Sequence, residues 1–197
     1  MTTEGDGVKR KSVLREYVES LLIAILLALV VRTFFLQAFK IPTGSMRPTL
    51  LEGDRILVDK VTYGIRMPLT TWRLPKIRGP RRGDLVVFRS TDDPRRDFIK
   101  RLVALGGDTI EIRDFRLWVN GRPLADPPIF GELRYYNRGS YGQSGQPVTV
   151  PAGHCFFLGD NSASSRDSRY WGFLPESHIV GRAFCIYWPP RRIRGVK

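Results

Sequence analysis

The 197-residue sequence predicts a mostly β fold, in which a single N-terminal transmembrane helix precedes an antiparallel β-sheet or coiled barrel with a small β insert. Three observations favour this fold. The sequence has one long apolar run, at residues 21–31, and short β-branched segments bounded by glycine follow residue 40. A composition of 42% apolar and 26% charged residues is typical of a globular chain. We therefore expect one well-buried domain with a helical appendage.

The helix prediction rests on the N-terminal segment. Residues 1–17 are polar and basic, whereas residues 21–39 contain only three polar side chains. A helix over residues 21–39 would be about 28 Å long, close to the thickness of a hydrocarbon core. No clear small-x-small cleavage site follows, so we interpret residues 18–39 as an uncleaved signal anchor with residues 1–17 in the cytoplasm. A core helix of a soluble protein is the alternative.

The charge and the metal-binding residue types narrow the function classes. An excess of 32 Lys+Arg over 19 Asp+Glu gives a net charge of +13, which suits either nucleic acid or an anionic membrane surface. Only two cysteines and two histidines are present, so a structural zinc site is not expected. Cys155 and Cys185 could form a disulfide, but we favour unpaired thiols buried in neighbouring strands.

Short strands and turns follow in order after the helix. Residues 54–63 are β-branched and lie between Gly53 and Gly64, which indicates a strand. The stretch 67–82, rich in proline, arginine and lysine, predicts a loop. Further strands are predicted at residues 85–88, 98–105, 109–112, 117–119, 148–150, 155–158 and 179–188.

The middle of the chain differs in composition from its flanks. Residues 109–119 predict a hairpin, and Asn120-Gly121 is the turn that follows it. Residues 126–146 are heavy in glycine, proline, tyrosine and serine, and we interpret them as part of a small insert away from the chemistry.

One turn could present a nucleophile. Residues 41–50 are Ile-Pro-Thr-Gly-Ser-Met-Arg-Pro-Thr-Leu, and the two prolines exclude a helix interior. Gly44 would allow another group to approach the backbone beside Ser45. A serine hydroxyl attacks efficiently only when a neighbouring base takes its proton. An ordinary turn has the same composition.

The candidate bases are one lysine and two histidines. His154 and His178 have no obvious carboxylate partner in the sequence. Lys100 follows Phe98 and Ile99 in an apolar strand, where burial would favour the neutral amine. Strand alternation puts Lys100 on the same face as Phe98. A lysine at a sheet edge is the alternative.

Three stretches, in the same order, resemble the sequence boxes of bacterial type I signal peptidases. The first is residues 41–50, which contain Ser45. The second is Gly-Asp-Leu-Val-Val-Phe at 83–88 leading to Phe-Ile-Lys-Arg at 98–101, and the third is Gly-Asp-Asn at 159–161 followed by residues 165–173. The resemblance covers most of residues 18–188 and lapses between about 114 and 150.

The resemblance implies a role for several residues. Ser45 falls on the family's nucleophile and Lys100 on its general base. The Thr43 hydroxyl and the Ser45 backbone N–H fall on the donors of the oxyanion hole. Ser165 falls on the serine that orients the lysine. The charged groups that brace the site are Arg101, Asp167 and Arg169.

The third box departs from the family pattern. Ser162-Ala163-Ser164 stands where the family usually has Arg-Asp-Asn. A slip of one residue would offer Ser164 as the partner of the lysine, but Asp167-Ser168-Arg169 fixes the register on Ser165. The resemblance divides the chain into catalytic parts at residues 40–113 and 151–197, the second ending in a basic tail, with a non-catalytic insert at 114–150.

An extended peptide could add as a strand beside residues 39–42 and the strand at 97–99. Shallow apolar pockets there would accept small side chains, which implies cleavage after Ala-x-Ala, although the same residues could simply form a core. The implied substrate-binding residues are Phe39, Ile41, Pro42, Met46, Leu50, Ile56, Val87, Asp97, Phe98 and Ile99.

The resemblance also implies partners and a location. The expected partners are precursor proteins with signal peptides and anionic lipid headgroups, but no nucleic acid, and neither a cofactor nor a metal is expected. The expected location is a bacterial-type cell membrane, with the catalytic domain outside the cytoplasm. Two other hypotheses stay open from the residues alone. One is a membrane-tethered basic binding protein without catalysis, and the other is a Ser/Lys self-cleaving protease of the repressor type.

Overall fold

The computed structural model describes residues 13–64, 75–91, 93 and 95–196. Twelve strands lie within them: β1 (Leu36–Lys40), β2 (Arg55–Asp59), β3 (Leu85–Arg89), β4 (Asp97–Leu105), β5 (Thr109–Arg113), β6 (Arg116–Val119), β7 (Arg122–Pro123), β8 (Val148–Thr149), β9 (His154–Leu158), β10 (Leu174–Pro175), β11 (Ile179–Trp188) and β12 (Arg194–Gly195). The helices are α1 (Val13–Val30), α2 (Ile129–Glu132) and α3 (Ser168–Trp171).

The N-terminal helix ends earlier than the sequence predicted. α1 continues through a π-helical turn, Val31–Phe35, and the next residues form strand β1. The prediction of a helix over residues 21–39 was therefore wrong at both ends. Residues 36–39 are extended because they pair with β2, and the described helix already includes Val13, within a segment predicted to be a polar flank.

The helix makes no packing contact that buries it. None of its residues is buried, and an 18-residue window within Val13–Phe35 has a mean hydropathy of 2.2. Within the described part of the chain, this is the one helix long and apolar enough to cross a membrane. A core helix of a soluble protein would bury one face against the sheet, which this helix does not do.

The larger sheet is antiparallel and curled, which confirms the predicted fold. Its strand order is β1-β2-β11-β3-β4-β9-β10, with β12 paired to β11. Register shifts interrupt the pairing of β11 with both neighbours and of β4 with β9. Such bulges increase the local twist and bend the strands, so the sheet coils instead of lying flat.

The predicted hairpin is confirmed, and it belongs to a second sheet. This sheet has the order β7-β6-β5-β8, and its first strand begins at Thr109, before the predicted start of the insert at residue 114. Every strand predicted beyond residue 84 is present. The strand predicted at 54–63 ends at Asp59. The Asp59 carboxylate accepts the backbone N–H groups of Val61 and Thr62, which turns the chain. Of the loop predicted at 67–82, residues 67–74 lie outside the described residues.

Three apolar clusters lie within the described residues, and two of them pack beside the insert and the Ser45 turn. One fills the space beside the second sheet and includes Ile110, Leu117, Phe130 and Phe156. The other lies beneath residues 41–50 and includes Ile41, Met46, Leu50, Ile56, Val58, Val87 and Ala183. Full burial of side chains of this size contributes roughly 1.5–3 kcal/mol each. The second cluster therefore fixes the turn that carries Ser45.

Both cysteines are free thiols, as expected. They do not lie in neighbouring strands, however, because β3 and β4 stand between β9, with Cys155, and β11, with Cys185. Burial raises the pKa of Cys155 to about 12, so its thiol is inert at neutral pH.

Candidate active site

A short turn presents Ser45 above the core. Residues Gly44–Met46 form one turn of 3-10 helix directly after β1. Met46 and Leu50, both fully buried, anchor its underside, while Ser45 stays half-buried. Apolar burial therefore holds the backbone, and the serine hydroxyl remains accessible.

The third sequence box holds this turn from the other side. The backbone N–H of Asn161 donates to the carbonyl of Ser45 at 3.0 Å, and its side-chain amide donates to the carbonyl of Gly44 at 3.0 Å. A Cβ at Gly159 would lie 2.5 Å from the Ser45 carbonyl oxygen, so only glycine fits there. The sequence did not mark Asn161 as a site residue, although the Gly-Asp-Asn motif contains it.

Lys100 lies against the serine hydroxyl. Its Nζ donates to Ser45 Oγ at 2.7 Å and to the carbonyl of Ile99 at 3.0 Å, and the residue is only 4% exposed. Both acceptors are uncharged. Burial lowers the pKa of Lys100 to about 8, against the opposing effect of Asp167 and Asp160, whose negative charges favour the ammonium. A large fraction of Lys100 is therefore neutral slightly above neutral pH.

A buried ion pair stands behind the lysine strand. Arg101 donates to both carboxylate oxygens of Asp160, at 2.8 and 2.6 Å, and to the carbonyl of Gly83 at 2.8 Å. Both charged side chains are fully buried. The Thr49 hydroxyl also hydrogen-bonds to Asp160, so the pair ties β4 to the end of the Ser45 turn. Thr49 and Asp160 were not among the predicted site residues.

A second buried ion pair joins Asp167 and Arg169. The guanidinium donates to the carboxylate at 2.8 and 2.9 Å, and both side chains are fully buried. Asp167 also accepts the backbone N–H of Gly159 at 3.0 Å. Arg169 donates further to the carbonyl of Tyr136 at 2.9 Å. Residues 126–146, which were expected to lie away from the chemistry, therefore contact Arg169 directly.

Ser165 does not make the hydrogen bond to Lys100 that was expected of it. Its hydroxyl is buried and has no hydrogen-bond partner among the residues that the structure describes. It lies against Gly159, where an added Cβ would approach it to 2.2 Å. Lys100 donates to Ser45 and to Ile99 instead. Ser164, the alternative partner, is exposed and lines the cleft in front of Ser45.

The cleft in front of Ser45 has a volume of about 440 Å³. Its lining residues are Thr43, Gly44, Ser45, Arg47, Glu52, Phe98, Lys100, Asn161, Ser164 and Arg166. Of the predicted substrate-binding residues, Phe98 lines this cleft, and five are buried members of the cluster beneath it: Ile41, Met46, Leu50, Ile56 and Val87. Phe39 and Ile99 pack partly buried against that cluster, while Pro42 and Asp97 are exposed. The prediction missed the ion pair Arg47–Glu52 at the rim.

Comparison with known proteins identifies the class of protein. The family model described as signal peptidase, peptidase S26, matches residues 14–188, so the chain is a peptidase. Signal peptidase I of Pseudomonas aeruginosa is 37% identical over 93% of this chain and 76% of its own length. Signal peptidase I of Aquifex aeolicus is 31% identical over 89% and 84%, respectively. This chain belongs to the signal peptidase family, peptidase S26.

Solved structures similar to this chain include that of a signal peptidase. A signal peptidase I from Enterococcus faecalis is 32% identical, with a TM-score of 0.42, over 54% of this chain and 98% of that one.

Proposed function

We propose that this chain removes signal peptides from precursor proteins with Ser45 as nucleophile and Lys100 as general base. The 2.7 Å contact between Lys100 Nζ and Ser45 Oγ carries the proposal. The neutral amine takes the proton from the hydroxyl as its oxygen attacks the substrate carbonyl, and the ammonium then protonates the leaving amine. Water, activated by the same amine, hydrolyses the acyl-enzyme ester.

The oxyanion formed during attack needs hydrogen-bond donors. The Ser45 backbone N–H is in the first turn of a short helix, where backbone N–H groups lack partners earlier in that helix. The Thr43 side chain is exposed and lines the same cleft. We assign the Ser45 N–H and the Thr43 hydroxyl as the two donors.

The shape of the cleft and the open sheet edges favour an extended substrate with small side chains. Strand β9 begins to pair with β4 at Arg101, so within the described part of the chain Asp97–Ile99 have a partner strand on one side only. Strand β1 is the end strand of its sheet. A peptide between these edges adds as a strand. The floor of the cleft is already filled by Ile41, Met46 and Leu50, which supports recognition of Ala-x-Ala.

The exposed apolar helix and the charge pattern support a membrane location. Helix α1 spans the bilayer, residues before it lie in the cytoplasm, and the β domain lies outside. The net charge of +13 favours anionic headgroups as partners and not nucleic acid, because the domain continues directly from the anchor. Membership of a signal peptidase family argues against the two alternative functions, a catalytically inactive binding protein and a repressor-type protease.

A precursor with an Ala-x-Ala site, incubated with the full chain in detergent, tests the proposal. Ser45→Ala should be inactive because it lacks the nucleophile. Lys100→Arg should be inactive because an arginine cannot supply a neutral base. The matched controls are Ser144→Ala and Lys76→Arg, both at exposed positions away from the cleft. The kcat/KM of the wild type should rise with pH through about 8, the pKa of Lys100 in the substrate-free protein. Cleavage by Lys100→Arg at the wild-type rate would exclude this mechanism.

A further inference from the structure

Ser162, in the third sequence box, lies at a junction between the insert and the site. Ser162 is 3% exposed, and its hydroxyl oxygen accepts two hydrogen bonds. One comes from the Tyr136 backbone N–H at 2.9 Å, and the other from Nη1 of Arg169 at 2.7 Å. The Tyr136 N–H belongs to the insert between the second and third sequence boxes. Arg169 belongs to the buried ion pair with Asp167. Ser162 therefore joins the insert to the site.

The insert contacts this part of the site repeatedly. The Arg169 carbonyl accepts the backbone N–H groups of Ser140 at 2.7 Å and Tyr141 at 3.1 Å. A Cβ at Gly139 would lie 2.1 Å from that carbonyl oxygen, so the two backbones are as close as glycine allows. Arg138 donates to the carbonyl of Ala163 at 2.7 Å.

All donors of the Arg169 side chain are directed at acceptors. Besides Asp167, Tyr136 and the Ser162 hydroxyl, they reach the carbonyls of Ser162 at 2.8 Å and Ser165 at 3.2 Å. Because the guanidinium is fully buried, displacing it would leave charged donors without partners. The position of Arg169 therefore depends on the insert as well as on Asp167.

This junction is connected to the reacting groups by two short routes. Ser162 directly follows Asn161, which holds the Gly44 and Ser45 carbonyls. Asp167, held by Arg169, accepts the N–H of Gly159 and acts electrostatically on Lys100. A shift of the junction would therefore move the serine turn and change the charge near the lysine together.

We propose that Ser162, with residues 135–141 of the insert, is a positioning element for the Ser45–Lys100 pair. The inference rests on the proposed function, since it assumes that this pair does the chemistry. Ser162 acts through Asn161 and Arg169 and does not touch the substrate.

The test is the kinetics of Ser162→Ala in the full chain, with the exposed Ser144→Ala of the same insert as control. We expect kcat to fall by about 10- to 100-fold, since small misplacements of reacting groups have effects of this size, with KM nearly unchanged. The pH at which kcat/KM reaches half its maximum should change, because a displaced Asp167–Arg169 pair acts differently on the ammonium of Lys100. Ser162→Thr, which keeps the hydroxyl, should recover most of the activity.

Wild-type kcat and pH profile in folded Ser162→Ala would overturn the inference, as would a loss that merely follows the unfolded fraction with an unchanged pH profile. If Ser162→Ala does not fold, the exposed Arg138→Ala decides: a kcat lowered a few-fold with the same shift of the pH profile supports the inference, and wild-type kinetics overturns it. Lys100→Arg, measured in parallel, separates the two proposals. If it is inactive, a negative result with Ser162→Ala concerns the positioning element alone.

Discussion

Replacing Asp160 by asparagine should strongly destabilise the domain. The substitution keeps the size of the side chain but removes the negative charge from a pair in which both partners are fully buried. Arg101 would keep its charge, and one of its two contacts with residue 160 would face an amide N–H group instead of an oxygen. Breaking a buried ion pair from one side typically costs about 3–5 kcal/mol, because an uncompensated charge stays in the interior.

Unfolding of the full chain in detergent, followed by tryptophan fluorescence, measures this loss. A decrease of that size corresponds to a Tm lower by about 6–20 °C for a domain of this length. The control is Glu176→Gln, which breaks the partly exposed pair with Lys76 and should change the free energy of unfolding by less than about 1 kcal/mol. The double variant Arg101→Met, Asp160→Asn should be more stable than Asp160→Asn alone, because it also removes the unpaired charge. An Asp160→Asn protein as stable as the wild type would refute this reasoning.

Two further predictions concern the oxyanion hole and the membrane. Thr43→Val should lower kcat on an Ala-x-Ala peptide by about 10²–10³ with little change in KM. Thr43→Ser, which keeps the hydroxyl, should stay near the wild type on the same peptide. A kcat of Thr43→Val within a few-fold of wild type would remove Thr43 from the mechanism. Trp188, 50% exposed beside a basic tail, should bind headgroups, so Trp188→Ala should weaken binding of the β domain to anionic vesicles. Equal binding to neutral and anionic vesicles at low salt would contradict an electrostatic attraction between the basic tail and the headgroups.

The sequence predicted most strands because each carries its own local signal. Alternation and glycine boundaries are properties of a few neighbouring residues, and β4 and β9 show them clearly. Strand β1 was missed for the same reason, since Leu36–Lys40 continues the apolar composition of the helix. Its extended conformation comes from pairing with β2, some twenty residues later in the chain, which no local pattern contains.

The site divides in the same way. Ser45 and Lys100 were predicted from motifs and lie within hydrogen-bonding distance. The role of Ser165 was predicted from a family pattern, but its position depends on how closely the backbone passes Gly159, which composition does not reveal. The contacts of Arg169 with the insert join residues some thirty positions apart, and they lie in the region where the sequence pattern is weakest.

If helix α1 is embedded in the bilayer as proposed, the join between helix and sheet would limit how far from the bilayer the peptidase can cut. The last helical residue, Phe35, accepts the backbone N–H of Lys60 at 3.0 Å, and the Lys60 ammonium donates to the Thr33 carbonyl at 3.2 Å. Strand β1, about 16 Å long, then leads almost directly to the Ser45 turn. With the helix embedded as proposed, only scissile bonds within a narrow range of heights above the lipid can reach Ser45. Depth in the membrane, as well as the residues around the cut, would then decide which precursors are processed.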